Sequence, residues 1–220
     1  MVKISKWCKP NGVLTKKHLD DNVGKMAILD VLTFPDPRLR KLSLPIESVD
    51  EELLKFSRDL LDTMYEERGI GLSAPQVNRL QRVITVDTRP ADKEGRYEAT
   101  EMTELEQELS YPLVLFNPEV IEKEGETTFD EGCLSVPGYY ETVKRFEKIK
   151  VKALNQEGEV ITFNIDGLTS ICIQHEIDHL DGKLFIDRLS IIKSNRIKSK
   201  IKKFGYPSKD DEEFTDEEKD

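Results

Sequence analysis

Apolar residues recur along the chain with two different periods, which together predict a fold of mixed helices and strands. From Leu53 to Tyr65 they lie three or four positions apart, as in a helix that packs on one face. The preceding Ser48-Val49-Asp50-Glu51 matches a capping box. We therefore expect this helix to begin there and to end at Gly69.

Short apolar or alternating segments predict the strands. Residues 82–87 and 113–116 are apolar runs of strand length, and residues 148–154 and 160–165 alternate between apolar and polar positions. Turn-forming residues separate the last two segments, which predicts a β-hairpin. The stretch AILDVLTFPDPRLRK, which follows Met26, predicts a short strand and a proline turn.

Two further helices are predicted in the second half of the chain. The first ends at Gly182, a C-terminal cap, and one of its faces is shared by Leu168, Cys172, His175 and His179. The last helix, SIIKSNRIKSKIKKF, holds six basic residues and no acidic one. Solvation of that basic face, or contact with the acidic tail, is a more common explanation than a dedicated partner. Its apolar stripe is formed by Ile192, Ile197 and Ile201.

These elements predict an α+β fold in which small mixed or antiparallel sheets pack around a central helix, with an amphipathic N-terminal helix and a C-terminal helix. A chain of 220 residues suits one domain with tails. We expect a polar N-terminal extension over residues 1–25, one domain over residues 26–205 that includes the basic helix, and an acidic disordered tail over residues 206–220. The charged connection at residues 88–111 is expected to be a surface excursion with a short helix in TELEQELS.

Charge and cysteine content narrow the class of protein. The net charge is −10, but eight acidic residues and one lysine at positions 210–220 account for −7 of it, so the rest is close to neutral. This balance gives no argument for nucleic acid or for an acidic substrate. No apolar run is long enough to span a membrane, and three widely spaced cysteines indicate a reducing compartment. Residues 1–25 lack the composition of a typical transit segment, so we expect a cytoplasmic protein, or an organellar one if they direct targeting.

The stretch QHEIDHLDG gives the clearest indication of a catalytic metal site. His175 and His179 lie one helical turn apart and can bind one metal ion, and Glu176 between them can act on a water molecule without binding the ion. A catalytic site of this kind needs a third protein ligand. Cys133, next to Gly132, is the strongest candidate because a thiolate is a strong metal ligand, although an isolated cysteine is more often part of a core.

The loop GIGLSAPQ, residues 69–76, combines two glycines with small residues and a proline. Another molecule can approach such a backbone closely, and Gln76 offers an amide donor at its end. The loop lacks the lysine and the third glycine of a phosphate-binding loop, and taken alone it is more often a turn.

Three segments, in this order and at this spacing, resemble the signature sequences of the peptide deformylases: GIGLSAPQ, EGCLS at residues 131–135, and QHEIDHLDG. The resemblance extends over residues 26–190 and includes the opening AILDVLTFPDPRLRK and the lead-in ICIQHE. Ser73 departs from the alanine that is usual in the family. The 88–111 connection and both tails also lie outside the compact bacterial pattern.

The resemblance implies a metal-dependent hydrolase that removes the N-formyl group from the initiator methionine of nascent polypeptides and releases formate. It implies that Cys133, His175 and His179 hold one divalent ion. Iron(II) is favoured by the resemblance, while zinc, nickel and cobalt also suit a set of thiolate and imidazole ligands.

Roles for other motif residues follow from the same resemblance. Glu176 would act as general base and then as proton donor to the departing amine, and the amide of Gln76 and the N–H of Leu134 would stabilise the oxyanion. A nascent peptide would lie extended along Gly69, Ile70 and Gly71. The methionine side chain would enter an apolar pocket, assigned by position to Ile70, Phe129, Leu168, Ile171 and Cys172, with Glu131 near its edge. Arg145 would pair with Glu131 or Asp178.

The expected partners are N-formylmethionyl nascent peptides and, through the basic C-terminal helix, the ribosome. We expect a monomer with no nucleic-acid specificity and no membrane contact. Three other functions remain open: a peptidase that cuts internal bonds, a structural metal module, and an inactive homologue that only binds the ribosome. Cys133 argues against the first and the intact set of Gln76, Cys133 and Glu176 against the third, while the second predicts that a biological role survives Glu176→Gln.

Overall fold

The structure is a computed structural model that describes residues 27–89 and 102–206. The predicted N-terminal extension, the acidic tail from residue 207 onward and the middle of the 88–111 connection lie outside the described residues. Within those ranges the α-helices are α1 (Glu51–Glu66), α2 (Glu104–Gln107), α3 (Gly167–Leu180) and α4 (Ile191–Phe204). The strands are β1 (Gly71–Ser73), β2 (Val83–Val86), β3 (Leu113–Glu124), β4 (Thr127–Glu131), β5 (Glu141–Arg145), β6 (Lys148–Leu154) and β7 (Val160–Ile165).

The main sheet has five antiparallel strands in the order β1-β2-β3-β6-β7, and β4 pairs with β5 in a separate two-stranded sheet. All four residues of β2 are buried, which explains why VITV has no charged residue and does not alternate between apolar and charged positions. Ile84 and Val86 of β2 belong to a core cluster with Ile173 of α3, whereas Val83 belongs to a cluster with Leu60 of α1. The main sheet therefore lies between α1 and α3.

Helix α1 begins two residues later than the capping-box pattern suggests. Its N-cap is Asp50, whose carboxylate accepts the N–H of Leu53 at 2.8 Å, so the expectation that the cap is Ser48 is wrong. At the other end Arg68 takes the left-handed conformation with φ 58°, and the N–H of Gly69 then donates to the Met64 carbonyl at 2.8 Å. Strand β1 therefore follows the end of α1 almost directly.

Helix α3 is the central element of the fold, and eleven of its fourteen residues are buried, including most of its polar ones. Gly182 follows it with φ 69°, and a Cβ at this position would come 2.6 Å from the Arg40 carbonyl oxygen. The prediction of an α+β fold, with small antiparallel sheets around a central helix, is confirmed. The β6–β7 hairpin and the short helix in TELEQELS are present as well.

Several local predictions differ from the structure. The stretch AILDVLTFPDPRLRK forms no strand; it contains the 3₁₀ turn Pro37–Arg40 and contributes single backbone bonds, such as the N–H of Phe34 to the Ser135 carbonyl at 2.8 Å. The β4–β5 hairpin was not predicted, because its segments are largely polar and only partly buried. In α4 the buried positions are Ser194, Ile197 and Ile201, and Ile192 is 79% exposed, so Ile192 is not part of the apolar stripe.

No helix among the described residues is long and apolar enough to cross a membrane.

Candidate active site

The three expected metal ligands meet at one point between α3 and the loop after β4. The Sγ atom of Cys133 lies 3.2 Å from His179 Nε2, and the two Nε2 atoms of His175 and His179 lie 3.3 Å apart. All three ligand atoms lie within 4.8 Å of one another. A thiolate and two imidazoles within this range are a donor set that suits a divalent transition metal, because each atom can reach a common centre.

The electrostatics of this cluster also suit a cation. Burial alone would lower the pKa of His175, but the neighbouring Cys133 and Glu131 outweigh it and raise that pKa well above its usual value. The surroundings that raise it, Cys133 and Glu131, also favour a metal cation at this point. Burial, and then the neighbouring His175, lower the pKa of His179 well below its usual value, which keeps its imidazole neutral as a metal ligand must be.

A buried ion-pair network holds the helix at this point. Glu131 Oε2 lies 2.8 Å from His175 Nδ1, and both Glu131 oxygens accept from Arg145, at 2.5 and 2.8 Å. Arg145 also donates to Asp178 at 2.6 Å, so it pairs with both of the carboxylates considered for it. Asp178 in turn pairs with Arg188. The network fixes the ring of His175 through Nδ1, as is usual for a metal-binding histidine.

Glu131, expected near the edge of the methionine pocket, has both carboxylate oxygens bonded, and its place at the pocket edge stays a prediction. It is 4% exposed, and its oxygens are occupied by Arg145 and His175. Burial would raise its pKa, but the hydrogen bonds from Arg145 and His175 lower the pKa to about 2. Glu131 is thus a fixed carboxylate that orients the ring of His175.

The side chain of Gln76 is held so that its amide nitrogen faces Cys133 and Ser135. Its Oε1 accepts the N–H and the hydroxyl of Ser73, at 2.8 and 2.7 Å. Its Nε2 then lies 3.2 Å from Ser135 Oγ and 3.8 Å from Cys133 Sγ. Ser73, which departs from the usual alanine, adds a hydroxyl donor that helps to fix Gln76.

Glu176 lies in the same buried region. Burial raises its pKa to about 7, although the neighbouring His175 acts in the opposite direction. Its Oε2 has no hydrogen-bond partner among the described residues. A buried carboxylate with a free oxygen and a pKa near neutrality can accept and return a proton.

Gly71 allows β1 to approach this carboxylate. A Cβ at this position would come 2.5 Å from Glu176 Oε1 and 2.6 Å from Cys172 Sγ. Both atoms belong to α3, so the strand and the helix pack closely only because residue 71 has no side chain. Cys172 also lies 3.5 Å from the Ile70 carbonyl oxygen.

The other predicted substrate residues lie just before β1, on α3 and on β4. Ile70 is 39% exposed, and a Cβ at Gly69 would come 2.8 Å from the side chain of Leu134. Leu168 and Ile171 lie in the first turns of α3. Phe129 lies on β4 opposite Val143, and its membership of the pocket stays a prediction.

Two residues of the site were not singled out from the sequence. Ser135 accepts from Gln76 and donates its N–H to Cys133 Sγ at 3.3 Å. Its position in the EGCLS segment, two residues after Cys133, was the available signal. Arg188 pairs with Asp178 from beyond the end of α3, and no local pattern indicates that contact.

Comparisons with known proteins agree with this geometry. The family model for polypeptide deformylase matches residues 28–195. A peptide deformylase of Neisseria meningitidis is 48% identical over 178 residues, which cover 81% of this chain and 96% of that protein.

Solved structures give the same result. The crystal structure of a peptide deformylase from Legionella pneumophila is 42% identical with a TM-score of 0.67, and the match covers 81% of this chain and 95% of that one. A Met-Ala-Ser-bound class I type b peptide deformylase from Acinetobacter baumannii is 31% identical with a TM-score of 0.66, over 75% of this chain and all of that one. With the family model matching most of its length, this chain belongs to the peptide deformylase family.

Proposed function

We propose that Cys133, His175 and His179 hold the divalent metal ion with which this peptide deformylase removes the formyl group from N-formylmethionyl peptides. The observation that carries the assignment is the meeting of one thiol and two imidazole nitrogens within 4.8 Å, beside the buried carboxylate of Glu176. A bound divalent ion supplies Lewis-acid chemistry, which activates water and polarises a carbonyl group.

Glu176 moves the proton in this proposal. With a pKa raised to about 7 by burial, its carboxylate accepts a proton from the attacking water near neutral pH. The same group then delivers that proton to the methionine nitrogen, which leaves as an amine. The free Oε2 is the atom available for both transfers.

Gln76 and Leu134 stabilise the negative charge that develops on the formyl oxygen. Because Ser73 occupies Gln76 Oε1 with two donors, only the amide N–H groups of Gln76 are directed toward Cys133 and the substrate. The backbone N–H of Leu134, next to Cys133, is the second donor. Loss of one such donor typically costs about 3 to 4 kcal/mol of transition-state stabilisation.

The nascent peptide binds in extended form along Gly69, Ile70 and Gly71. Support comes from the sheet order, in which β1 is a terminal strand of the main sheet among the described residues. Peptides that bind by strand addition pair with a terminal strand. The Acinetobacter baumannii relative was solved with Met-Ala-Ser, a peptide that begins with methionine as a deformylated product does. The methionine side chain lies against Ile70, Leu168, Ile171 and Cys172, with Phe129 as a further candidate.

Three finer assignments belong to the same proposal. The native ion is iron(II), and exposure to oxygen damages the site through Cys133, the one ligand that oxidises readily. The basic face of α4, which carries exposed lysines, contacts the ribosome, whose RNA is polyanionic. The protein acts as a cytoplasmic monomer.

The decisive experiment measures formate release from a formyl-Met dipeptide by anaerobically purified protein, with metal content determined on the same sample. We expect release in proportion to bound metal, up to one equivalent. A peptide with a cleavable internal bond serves as the control and should stay intact. Metal-loaded protein that cuts the control peptide and releases no formate would instead be a peptidase.

A further inference from the structure

The connection between β2 and β3 places the buried carboxylate of Glu106 at the start of α3. Glu106 of α2 is 4% exposed. Its Oε1 accepts both the N–H and the hydroxyl of Thr169, each at 2.9 Å, and its Oε2 accepts the N–H of Thr103 at 2.9 Å. A short helix from the predicted surface excursion therefore reaches into the first turn of the helix that carries the candidate site.

Glu106 makes the hydrogen bond that the side chain of the N-cap residue of α3 would normally make. Asp166 is the N-cap residue, but its side chain makes no cap hydrogen bond and instead accepts the Thr103 hydroxyl at 2.5 Å. The N–H of Thr169, in the first turn, has no partner within the helix, and Glu106 supplies one. Helix α3 is thus capped by a residue 63 positions away in the chain.

Gly167 makes room for this arrangement. It has φ 62°, and a Cβ there would come 2.6 Å from Glu106 Oε2 and 2.8 Å from Glu106 Oε1. A side chain at residue 167 would both strain the backbone and displace the carboxylate. The start of α3 and the side chain of Glu106 therefore fit each other at close range.

The contacts continue from Thr169 to the strand expected to bind the peptide. The Thr169 hydroxyl lies 2.7 Å from the Tyr111 hydroxyl and 2.5 Å from the Thr88 hydroxyl. The residue before Thr88, Asp87, donates its N–H to the Ile70 carbonyl at 2.9 Å. Glu106 is connected in this way to both sides of the expected methionine pocket, the helix turn and the strand.

The two halves of α3 are held by different groups. Its C-terminal half, with His175 and His179, is fixed by Cys133 and by the ion pairs of Glu131 and Arg145. Its N-terminal half is fixed by Glu106 and the hydroxyls around Thr169. The pocket residues on this half are Leu168, Ile171 and Cys172.

We propose that Glu106 is a positioning residue for the methionine pocket: by capping α3 it sets the placement of Leu168, Ile171 and Cys172, and it leaves the metal ligands unaffected. The proposal rests on the proposed function, which assigns the pocket to these residues. It predicts that substrate affinity and selection of methionine depend on Glu106, whereas metal binding and the chemical step do not.

The test compares two caps in the same protein. Asp50 caps α1 with a bond of 2.8 Å to the Leu53 N–H, but α1 carries none of the assigned site residues, so Asp50→Ala is the matched control for Glu106→Ala. The metal-loaded full chain of each variant is assayed for kcat and KM with formyl-Met and formyl-Ala dipeptides. Metal content and Tm are measured on the same samples.

We expect Glu106→Ala to raise KM for the formyl-Met peptide by roughly three- to tenfold and to reduce its preference over formyl-Ala, with kcat and metal content within about twofold of wild type. Glu106→Gln keeps an acceptor for Thr169 but sets a donor against the Thr103 N–H, so its KM should lie between those of wild type and Glu106→Ala. Asp50→Ala should lower Tm without a change in KM.

Several results would overturn the proposal. If Glu106→Ala lowers Tm and leaves KM and methionine preference at wild-type values, Glu106 is a stabilising cap only. Joint loss of kcat and bound metal would show that the two halves of α3 are not held independently. If Glu106→Ala does not fold, Glu106→Gln decides, and an unchanged KM in that variant refutes the idea. A wild-type protein that releases no formate would refute the proposed function instead.

Discussion

Helices α3 and α4 have the same length, 14 residues, and both contain many polar and charged side chains, yet their surroundings differ completely. In α3 the polar residues are buried, and each has a defined environment supplied by other elements. In α4 only Ser194, Ile197 and Ile201 are buried, and the charges extend into solvent. The comparison shows that ionisable groups acquire altered chemistry where protein replaces water around them.

The individual contacts illustrate the difference. In α3, Asp178 is 4% exposed and pairs with Arg145, which is 3% exposed, while burial raises the pKa of Glu176 to about 7. In α4, Lys193 pairs with Glu141 at 2.6 Å, but about half of the lysine side chain is exposed. Water screens the α4 pair and lets its partners separate at little cost, whereas the α3 pair has no such alternative.

The largest effect is expected for Cys133→Ala, which removes one of the three proposed ligands from the buried site. The variant should lose bound metal and, with it, formate release, because the two histidines alone hold an ion weakly. Metal analysis of the purified protein checks this. Cys172→Ala, also a change of a single thiol, should keep its metal, and equal metal loss in both variants would argue against Cys133 as a ligand.

Glu176→Gln comes next. It keeps the shape of the side chain but cannot accept a proton, so kcat should fall by about 10²- to 10⁴-fold while metal content stays at the wild-type level. Single-turnover formate release with metal analysis measures both. A variant that retained most of the wild-type rate would remove the general-base assignment.

Arg145→Met tests the buried ion pairs around α3. The change leaves the carboxylate of Glu131 buried with His175 as its remaining partner, whereas Asp178 keeps Arg188. We expect the free energy of unfolding to fall by about 3 to 5 kcal/mol, as for other buried pairs that lose one partner. Urea unfolding measures the change, and a loss below 1 kcal/mol would show that the network contributes little.

Lys193→Met is the corresponding change on α4 and should have the smallest effect. About half of the Lys193 side chain is exposed, so water screens its pair with Glu141, and the free energy of unfolding should change by less than about 1 kcal/mol. Formate release from a dipeptide should stay at the wild-type rate because α4 carries none of the assigned catalytic groups. A loss as large as that of Arg145→Met would remove the distinction between the two helices.

The sequence predicted the parts of this molecule that have a local signal. The spacing of His175 and His179 indicated a helix with a shared ligand face, and alternation indicated the β6–β7 hairpin. The buried run of β2 and the start of β3 were also predicted, because a strand covered on both faces is apolar throughout.

The parts that could not be predicted depend on contacts between distant residues. Glu106 is one acid among many in a charged segment, and only the folded chain brings it to Thr169. Arg145 was expected to pair with one carboxylate and meets two, because β5 places it between Glu131 and Asp178. The pairing of β4 with β5 likewise has little hydrophobic patterning, since most of its residues are only partly buried.

Gly71 limits which amino-acid substitutions this protein can accept during evolution. A side chain there would overlap Glu176 and Cys172 together, so a single substitution would require simultaneous changes at two positions of α3, one of them the proposed acid–base group. A scan of all single substitutions should find residue 71 as intolerant as a metal ligand, although it contributes no functional group. The residue is constrained by the space it leaves empty, and homologues can exchange it only together with the helix that faces it.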